Sequence, residues 1–166
     1  MIKMMAFDPS GNWKEGKGTT GICILVNGEP RELHELKAKD FKTPEKYWLA
    51  HKRFIEAMEP DYVVMEGYRL YNHKGMKAST QANSELETPQ LIGVLKVACL
   101  ENHIPFHVQY ATEVKARWSD NVLVNIGILE RKAGNRLYFD GEATSNHKRD
   151  ALRHALHYWK YGGWDE

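Results

Sequence analysis

Met4-Met5-Ala6-Phe7-Asp8-Pro9-Ser10-Gly11 decides how the chain is to be read. An apolar run ends abruptly in a carboxylate, and turn residues follow at once. Val63-Val64-Met65-Glu66-Gly67 repeats the arrangement, with an apolar run, an acid at its end and a glycine next. A third acid, Asp150, stands in His147-Lys148-Arg149-Asp150-Ala151, close to the start of the last helical pattern. Carboxylates carried at the ends of rigid elements can converge on one point, so the order of elements around these stretches matters.

Working outward, Ile2 to Asp8 reads as a first strand. Gly11 to Gly18 has the glycines and charges of an exposed hairpin loop, and Thr19 to Asn27 is a β-branched, apolar second strand. Asn27-Gly28 is a strong two-residue hairpin signal, so Glu29 to Lys37, where Leu33 and Leu36 alternate with charges, follows as a half-exposed third strand. Thr43-Pro44 opens a helix with threonine as cap and proline in the first position. Tyr47, Trp48, Phe54, Ile55 and Met58 recur along it at helical spacing. Tyr62 to Glu66 is a fourth strand suited to a buried central place. A second Thr88-Pro89 start introduces a helix marked by Leu91, Ile92, Leu95, Ala98 and Cys99. Phe106 to Gln109 is a fifth strand, and Thr112 to Leu129 is helical with breaks near Ser119 and Gly127. Arg131 to Ser145 reads as a mobile polar connection. Asn146, as cap, begins a helix running to Tyr161, with Gly162-Gly163 beyond it.

The order β-β-β-α-β-α-β-α-α predicts an α/β fold with a mixed five-stranded sheet flanked by helices. Three antiparallel strands are followed by βαβ crossovers. Residues 1–166 are expected to form one domain. Strands one and four become neighbours at the centre, with Asp8 and Glu66 side by side at their carboxyl ends, where α/β sheets place ligands. Three carboxylates and an imidazole suit one or two Mg²⁺ ions, which take hard oxygen ligands and can assist in-line displacement at a phosphodiester. His147 and Asp150, three apart on a helix, point the same way. Singly, each acid also fits a plainer role: Asp8 a turn, Glu66 a loop cap, Asp150 an ion-paired helix face. His154 and His157 read as structural or exposed.

Composition limits the function classes. The chain has 166 residues, 42% hydrophobic and 27% charged, with a net charge of +1, so no global basic field announces nucleic acid. Local patches remain: Tyr68, Arg69, Tyr71, Lys74 and Lys77 after Glu66, then Lys115 and Arg117, then Arg131-Lys132. Aromatics interleaved with cations are what stacking and phosphate contact need. No apolar run approaches a membrane span and no signal peptide is visible. Cys23 and Cys99 read as buried thiols, which suits a cytoplasm.

The chain resembles the RuvC family of Holliday-junction resolvases, within the RNase H-like nuclease superfamily. The matching residues are Phe7 to Gly11 with Thr20-Gly21, Val64-Met65-Glu66 and His147-x-x-Asp150-Ala151. Ile92-Gly93-Val94, Ile104-Pro105-Phe106 and Val114-Lys115 add to them. The resemblance implies a homodimeric, Mg²⁺-dependent endonuclease placing paired nicks at a four-way DNA junction, with Mn²⁺ able to substitute. By it Asp8, Glu66 and Asp150 are metal-binding acids, His147 fills a fourth position that varies between histidine and an acid, and Lys115 lies near the scissile phosphate. It also implies action in the cytoplasm of a bacterial cell, or of the host if the chain is phage-encoded. A helicase partner is not assigned by these residues. The first hairpin and the segment after Glu66 are longer than in typical bacterial members. Arg69 stands where those members present an aromatic, with Tyr68 and Tyr71 nearby; the compact, divergent form is similar to bacteriophage-encoded resolvases, some of which accept several branched structures. Two rival readings share Asp8. One is an ATP-binding domain of the actin and sugar-kinase type, since Asp8 to Gly11 with Thr19-Thr20-Gly21 resembles its first phosphate loop. The other is a further RNase H-like nuclease, such as one acting on RNA–DNA hybrids.

Overall fold

The computed structural model describes residues 1–69 and 86–163. β1 (Lys3–Asp8), β2 (Thr19–Val26) and β3 (Glu29–Lys37) form an antiparallel meander. β4 (Tyr62–Glu66) runs parallel to β1, and β5 (Phe106–Gln109) runs parallel to β4. The sheet order is β3-β2-β1-β4-β5. The expected mixed five-stranded sheet is therefore the observed one, with β1 and β4 at its centre.

Strand alternation divides the core in two. Side chains of successive strand residues point to opposite faces, so Met4 and Ala6 of β1 take one face and Met5 and Phe7 the other. On the first face Met4, Ala6, Cys23, Leu25 and Val64 pack against Ala151, Leu152, Ala155 and Leu156 of α5 (Asn146–Tyr161). On the second, Met5, Phe7, Ile22, Ile24, Val63 and Met65 pack against Ile55 of α1 (Pro44–Met58) and against Ile92, Leu95, Ala98 and Cys99 of α2 (Glu87–Glu101). The result is a helix–sheet–helix sandwich. The same parity carries to the strand ends: Asp8 follows Ala6 and Glu66 follows Val64, so both acids belong to the face covered by α5. Cys23 and Cys99 are buried free thiols.

Two glycines let α5 settle on β2. A Cβ at Gly21 would lie 1.9 Å from the His147 carbonyl oxygen, and one at Gly28 would lie 2.3 Å from Trp159 Nε1. No other residue type permits both approaches, so the start and the end of α5 are each held against the β1–β2–β3 meander. Gly28 also supplies the left-handed turn conformation, with Asn27 at φ 51° and Gly28 at φ 82°, as the Asn-Gly signal predicts. The cap at α1 is the expected one, Thr43 Oγ1 accepting from the Lys46 amide at 3.1 Å.

Elsewhere the structure corrects the sequence reading. α2 begins at Glu87, and Thr88 spends its hydroxyl on the Gly11 amide, 3.0 Å away, instead of capping the helix. Ser145, not Asn146, caps α5, its hydroxyl accepting from the Lys148 amide at 3.2 Å. The helical stretch after Tyr110 is two short helices, α3 (Ala111–Arg117) and α4 (Asp120–Asn125), broken at Trp118 and Ser119. Arg131 to Ser145, expected as a loose connection, contains most of a second sheet. β6 (Glu130–Lys132), β7 (Arg136–Phe139) and β8 (Glu142–Ala143) pair antiparallel, and buried Leu137 ties them to the core under α5.

Candidate active site

Asp8 closes β1 and Glu66 closes β4; the parallel register that pairs Phe7 with Met65 sets the two acids side by side. Across the antiparallel neighbour Asp8 pairs with Gly21, the residue whose missing side chain lets the first turn of α5 descend. That contact brings His147 over Asp8, Nδ1 lying 3.9 Å from Oδ2. The Asp8 and Glu66 side chains keep only 16% and 19% of their surface exposed.

Burial raises the Asp8 carboxyl well above the ordinary range, and a hydrogen bond to Glu66 with the charges of Glu66 and Asp150 pushes it further. Burial acts to raise Glu66 as well. The hydrogen bonds from His154 and Asp8, with the charge of Lys115, outweigh it and hold Glu66 at about 2. The pair therefore keeps one proton between two carboxylates, which is what closely set buried acids do when no cation neutralises them.

His154 is a site residue that the sequence reading missed. It is 1% exposed, with Nε2 3.7 Å from Glu66 Oε2. The Gln109 amide sits 3.0 Å from Nδ1 and also donates to the His154 carbonyl. An amide nitrogen donates only, so Nδ1 accepts and the ring proton stands on Nε2, facing Glu66. One signal existed: His154 lies four residues after Asp150 and seven after His147, on the same helical face. His157, also expected to be structural, accepts from Trp118 Nε1 at 3.2 Å.

Asp150 lies near enough for its charge to raise Asp8, yet its own oxygens are engaged by cations. Arg153 Nη1 is 2.8 Å from Oδ1 and Lys115 Nζ is 4.0 Å from Oδ2. Arg153 is in turn locked by the Trp118 carbonyl at 2.6 Å and by Asp120. Among the described residues no group of three or more His, Cys, Asp or Glu side chains is closed around a metal position. The donor chemistry nevertheless fits a hard divalent cation: two adjoining carboxylates that hold a proton for want of countercharge, with an imidazole beside them.

The loop after Asp8 is braced from behind. Thr20 Oγ1 accepts from the Ser10 amide at 3.2 Å, and the Tyr47 hydroxyl donates to the Ser10 carbonyl at 2.7 Å. Buried His51 donates from Nδ1 to the Tyr47 carbonyl at 2.7 Å, leaving bare Nε2 to accept from the Thr20 hydroxyl at 2.8 Å. Glu87 Oε2 takes the amides of Trp13 and Lys14.

The expected nucleic-acid residues are dispersed. Tyr68 is half-buried and packs on the core beside α2's face of the sheet. Arg69 is exposed and lies over the Tyr110 ring at 4.1 Å. Arg117 lies over Tyr161 at 4.8 Å, and Lys115 is 58% exposed beside Asp150. Tyr71, Lys74 and Lys77 lie outside the described residues. Leu91, Leu95 and Ala98 of α2 are fully buried within the chain, so they are not available for a contact between copies. What α2 leaves exposed is Gln90, Gly93, Val97, Leu100 and Glu101.

A central parallel pair of strands ending in acids, antiparallel strands on one flank and a last helix across the acids define an RNase H-like α/β protein. Among curated proteins the chain is similar to the crossover junction endodeoxyribonuclease RuvC of Mycolicibacterium vanbaalenii. They are 23% identical over 169 aligned residues, spanning 96% of this chain and 80% of that protein. Thermus thermophilus RuvC in complex with a Holliday junction substrate superposes with a TM-score of 0.68 at 16% identity, over 99% of this chain and 97% of that one. A second structure of that protein gives 0.66 at 15%, with the same coverage. The nuclease domain of the large terminase subunit of bacterial virus Sf6, a structure with manganese, gives 0.50 at 10%, over 95% and 88%. No protein-family model matches the chain. In sequence and in fold the chain is similar to RuvC proteins. Among the described residues no helix is long and apolar enough to cross a membrane.

Proposed function

We propose that this chain is a divalent-metal-dependent endodeoxyribonuclease that cuts four-way DNA junctions. The observation that carries the reading is the Asp8–Glu66 pair on adjoining strand ends, with the His147–Asp150 turn of α5 brought against it through Gly21. Asp8 and Glu66 would hold the ion, and His147 and Asp150 would complete its surroundings. A bound Mg²⁺ or Mn²⁺ would make a water easier to deprotonate into the attacking nucleophile and would offset the charge on the leaving oxygen.

The remaining steps belong to the chain. His154 presents Nε2–H to Glu66 and keeps that acid ionised and oriented, with Gln109 fixing the tautomer. Lys115, exposed beside Asp150, is placed to meet a phosphate, and Arg153 holds Asp150 until it is needed. The braced Pro9–Gly11 loop excludes water from behind Asp8. Two copies cutting two strands would meet through the face of α2 that carries Val97 and Leu100. The bacterial cytoplasm suits this work.

The test is a cleavage panel of four-way, three-way, duplex and RNA–DNA hybrid substrates, with native protein and Asp150→Asn, with and without Mg²⁺. Metal-dependent junction cutting by the native chain alone is expected, from a species of twice the chain mass by light scattering. Undiminished cutting by Asp150→Asn would overturn the site assignment, and a monomer that still makes paired nicks would overturn the two-copy arrangement. Preference for the hybrid substrate would assign a different RNase H-like activity.

A further inference from the structure

The geometry points to a second element of nucleic-acid binding: the small sheet β6–β7–β8 is a phosphate-holding arm, with Arg131, Lys132 and Arg136 as its cations. That the phosphates are those of DNA rests on the nuclease reading above.

The register of the small sheet sets Lys132 directly opposite Arg136. Like charges across a strand pair destabilise a sheet, yet among the described residues none of Arg131, Lys132 and Arg136 is ion-paired with a carboxylate. Lys132 rests on the Tyr138 ring at 4.5 Å, and Arg131 gives one nitrogen to Asn121 Oδ1 at 2.8 Å. Arg136 is exposed. A fold that places uncompensated cations face to face carries that cost in the free state and recovers it when an anion arrives.

The anion has a place to sit. Arg131, Asn135, Arg136, Thr144 and Arg149 line a cavity of about 400 Å³. Its one acid, Asp120, is already occupied by Arg149 at 3.3 Å and by Arg153. Arg149 is largely buried, and its Nε lies close to Asp120 without hydrogen-bond alignment. Guanidinium forks match phosphate oxygens in shape and charge. The cavity is also tied to the site: Arg149 precedes Asp150 on α5, and Arg153 bridges Asp120 to Asp150. A backbone phosphate held here belongs to the substrate whose scissile phosphate lies at Asp150, so the arm would set where along a strand the cut falls.

Two variants test this. Arg131→Gln/Lys132→Gln/Arg136→Gln removes the cluster. Arg136→Glu instead gives Lys132 a cross-strand partner, which should hold or raise the melting temperature while repelling phosphate. Four-way-junction binding is read by fluorescence anisotropy in chelator over a range of salt. The triple variant should bind at least tenfold more weakly near physiological salt, with the log–log salt slope smaller by roughly 2 to 3. Arg136→Glu should weaken binding without any loss of thermal stability, a combination that a purely structural arginine would not give. If the native chain cuts and binds junctions and both variants bind with the native affinity and slope, the arm is refuted and the nuclease reading stands. Heparin, a polyanion that needs no nuclease site, reads the arm independently of that reading. Earlier elution of both variants supports the arm, and native elution overturns it.

Discussion

The Asp8–Glu66 pair costs stability for the sake of charge. Two carboxylates share a nearly dry corner, and Asp8 is pushed upward by burial and by its neighbours. A carboxyl raised in the folded state stabilises it while protonated and penalises it as pH rises through the ordinary carboxylate range. Asp8→Asn replaces the carboxyl that stays in this corner only by holding a proton and keeps a hydrogen bond to Glu66. It should abolish cleavage and, in chelator, melt about 2–4 °C above the native chain, the size expected when about 1 kcal/mol of repulsion is relieved in a domain of this length. Added Mg²⁺ or Mn²⁺ should raise the native melting temperature by binding the folded state and leave the variant unmoved. Calorimetry in chelator and in metal reads both effects. A variant less stable than native in chelator would show that the pair is not under electrostatic strain.

At the scale of elements, the site depends on how closely α5 lies on β2. Gly21→Ala puts a methyl group into the His147 carbonyl, so the first turn of α5 must lift away from Asp8. Overpacking of this kind costs about 1–3 kcal/mol, and the lift should reduce cleavage more than tenfold while junction binding changes little. Thermal melts and a cleavage assay measure the two effects, and native activity in a destabilised variant would refute the coupling. The sheet was legible from the chain because its signals are local and mutually consistent: two apolar runs ending in acids, Asn27-Gly28 and Thr43-Pro44. The small sheet was not, because strands of two to four residues are too short to show alternation. Its one clear mark, Asp140-Gly141 with both residues in left-handed conformation between paired Phe139 and Glu142, is the same turn chemistry as Asn27-Gly28. Thr88 has the composition of a cap, but a partner 77 residues away took its hydroxyl. Of the site, the pairing of Asp8 with Glu66 followed from two apolar runs that end in acids on neighbouring strands. His154 did not, because a histidine on a helix reads as exposed until the sheet that buries it is known.

The whole molecule carries a titration switch in its stability, apart from the acids. His51 is fully buried, and burial lowers it from 6.5 to about 4, with its bond to the Tyr47 carbonyl opposing the shift. Below about 6.5 the unfolded chain takes up a proton that the folded chain refuses. Stability present at neutral pH is therefore lost progressively as pH falls toward 4, and the loss levels off below that. A gap of this size corresponds to roughly 3 kcal/mol. Urea unfolding at pH 7.5 and 4.5 should show His51→Gln losing less stability than the native chain over this interval, although it starts lower. Equal losses would remove His51 as the cause.

The two glycine contacts that seat α5 have a consequence in time. Residues 146–161 are added after every strand of the main sheet, and they bring His147, Asp150 and His154 together with half of the core packing. A nascent chain that has not yet released this helix from the ribosome has both strand-end acids but neither the imidazoles nor the third carboxylate. Synthesis order thus acts as a safety catch: the emerging polypeptide has no assembled cutting centre until the element that completes its core has docked.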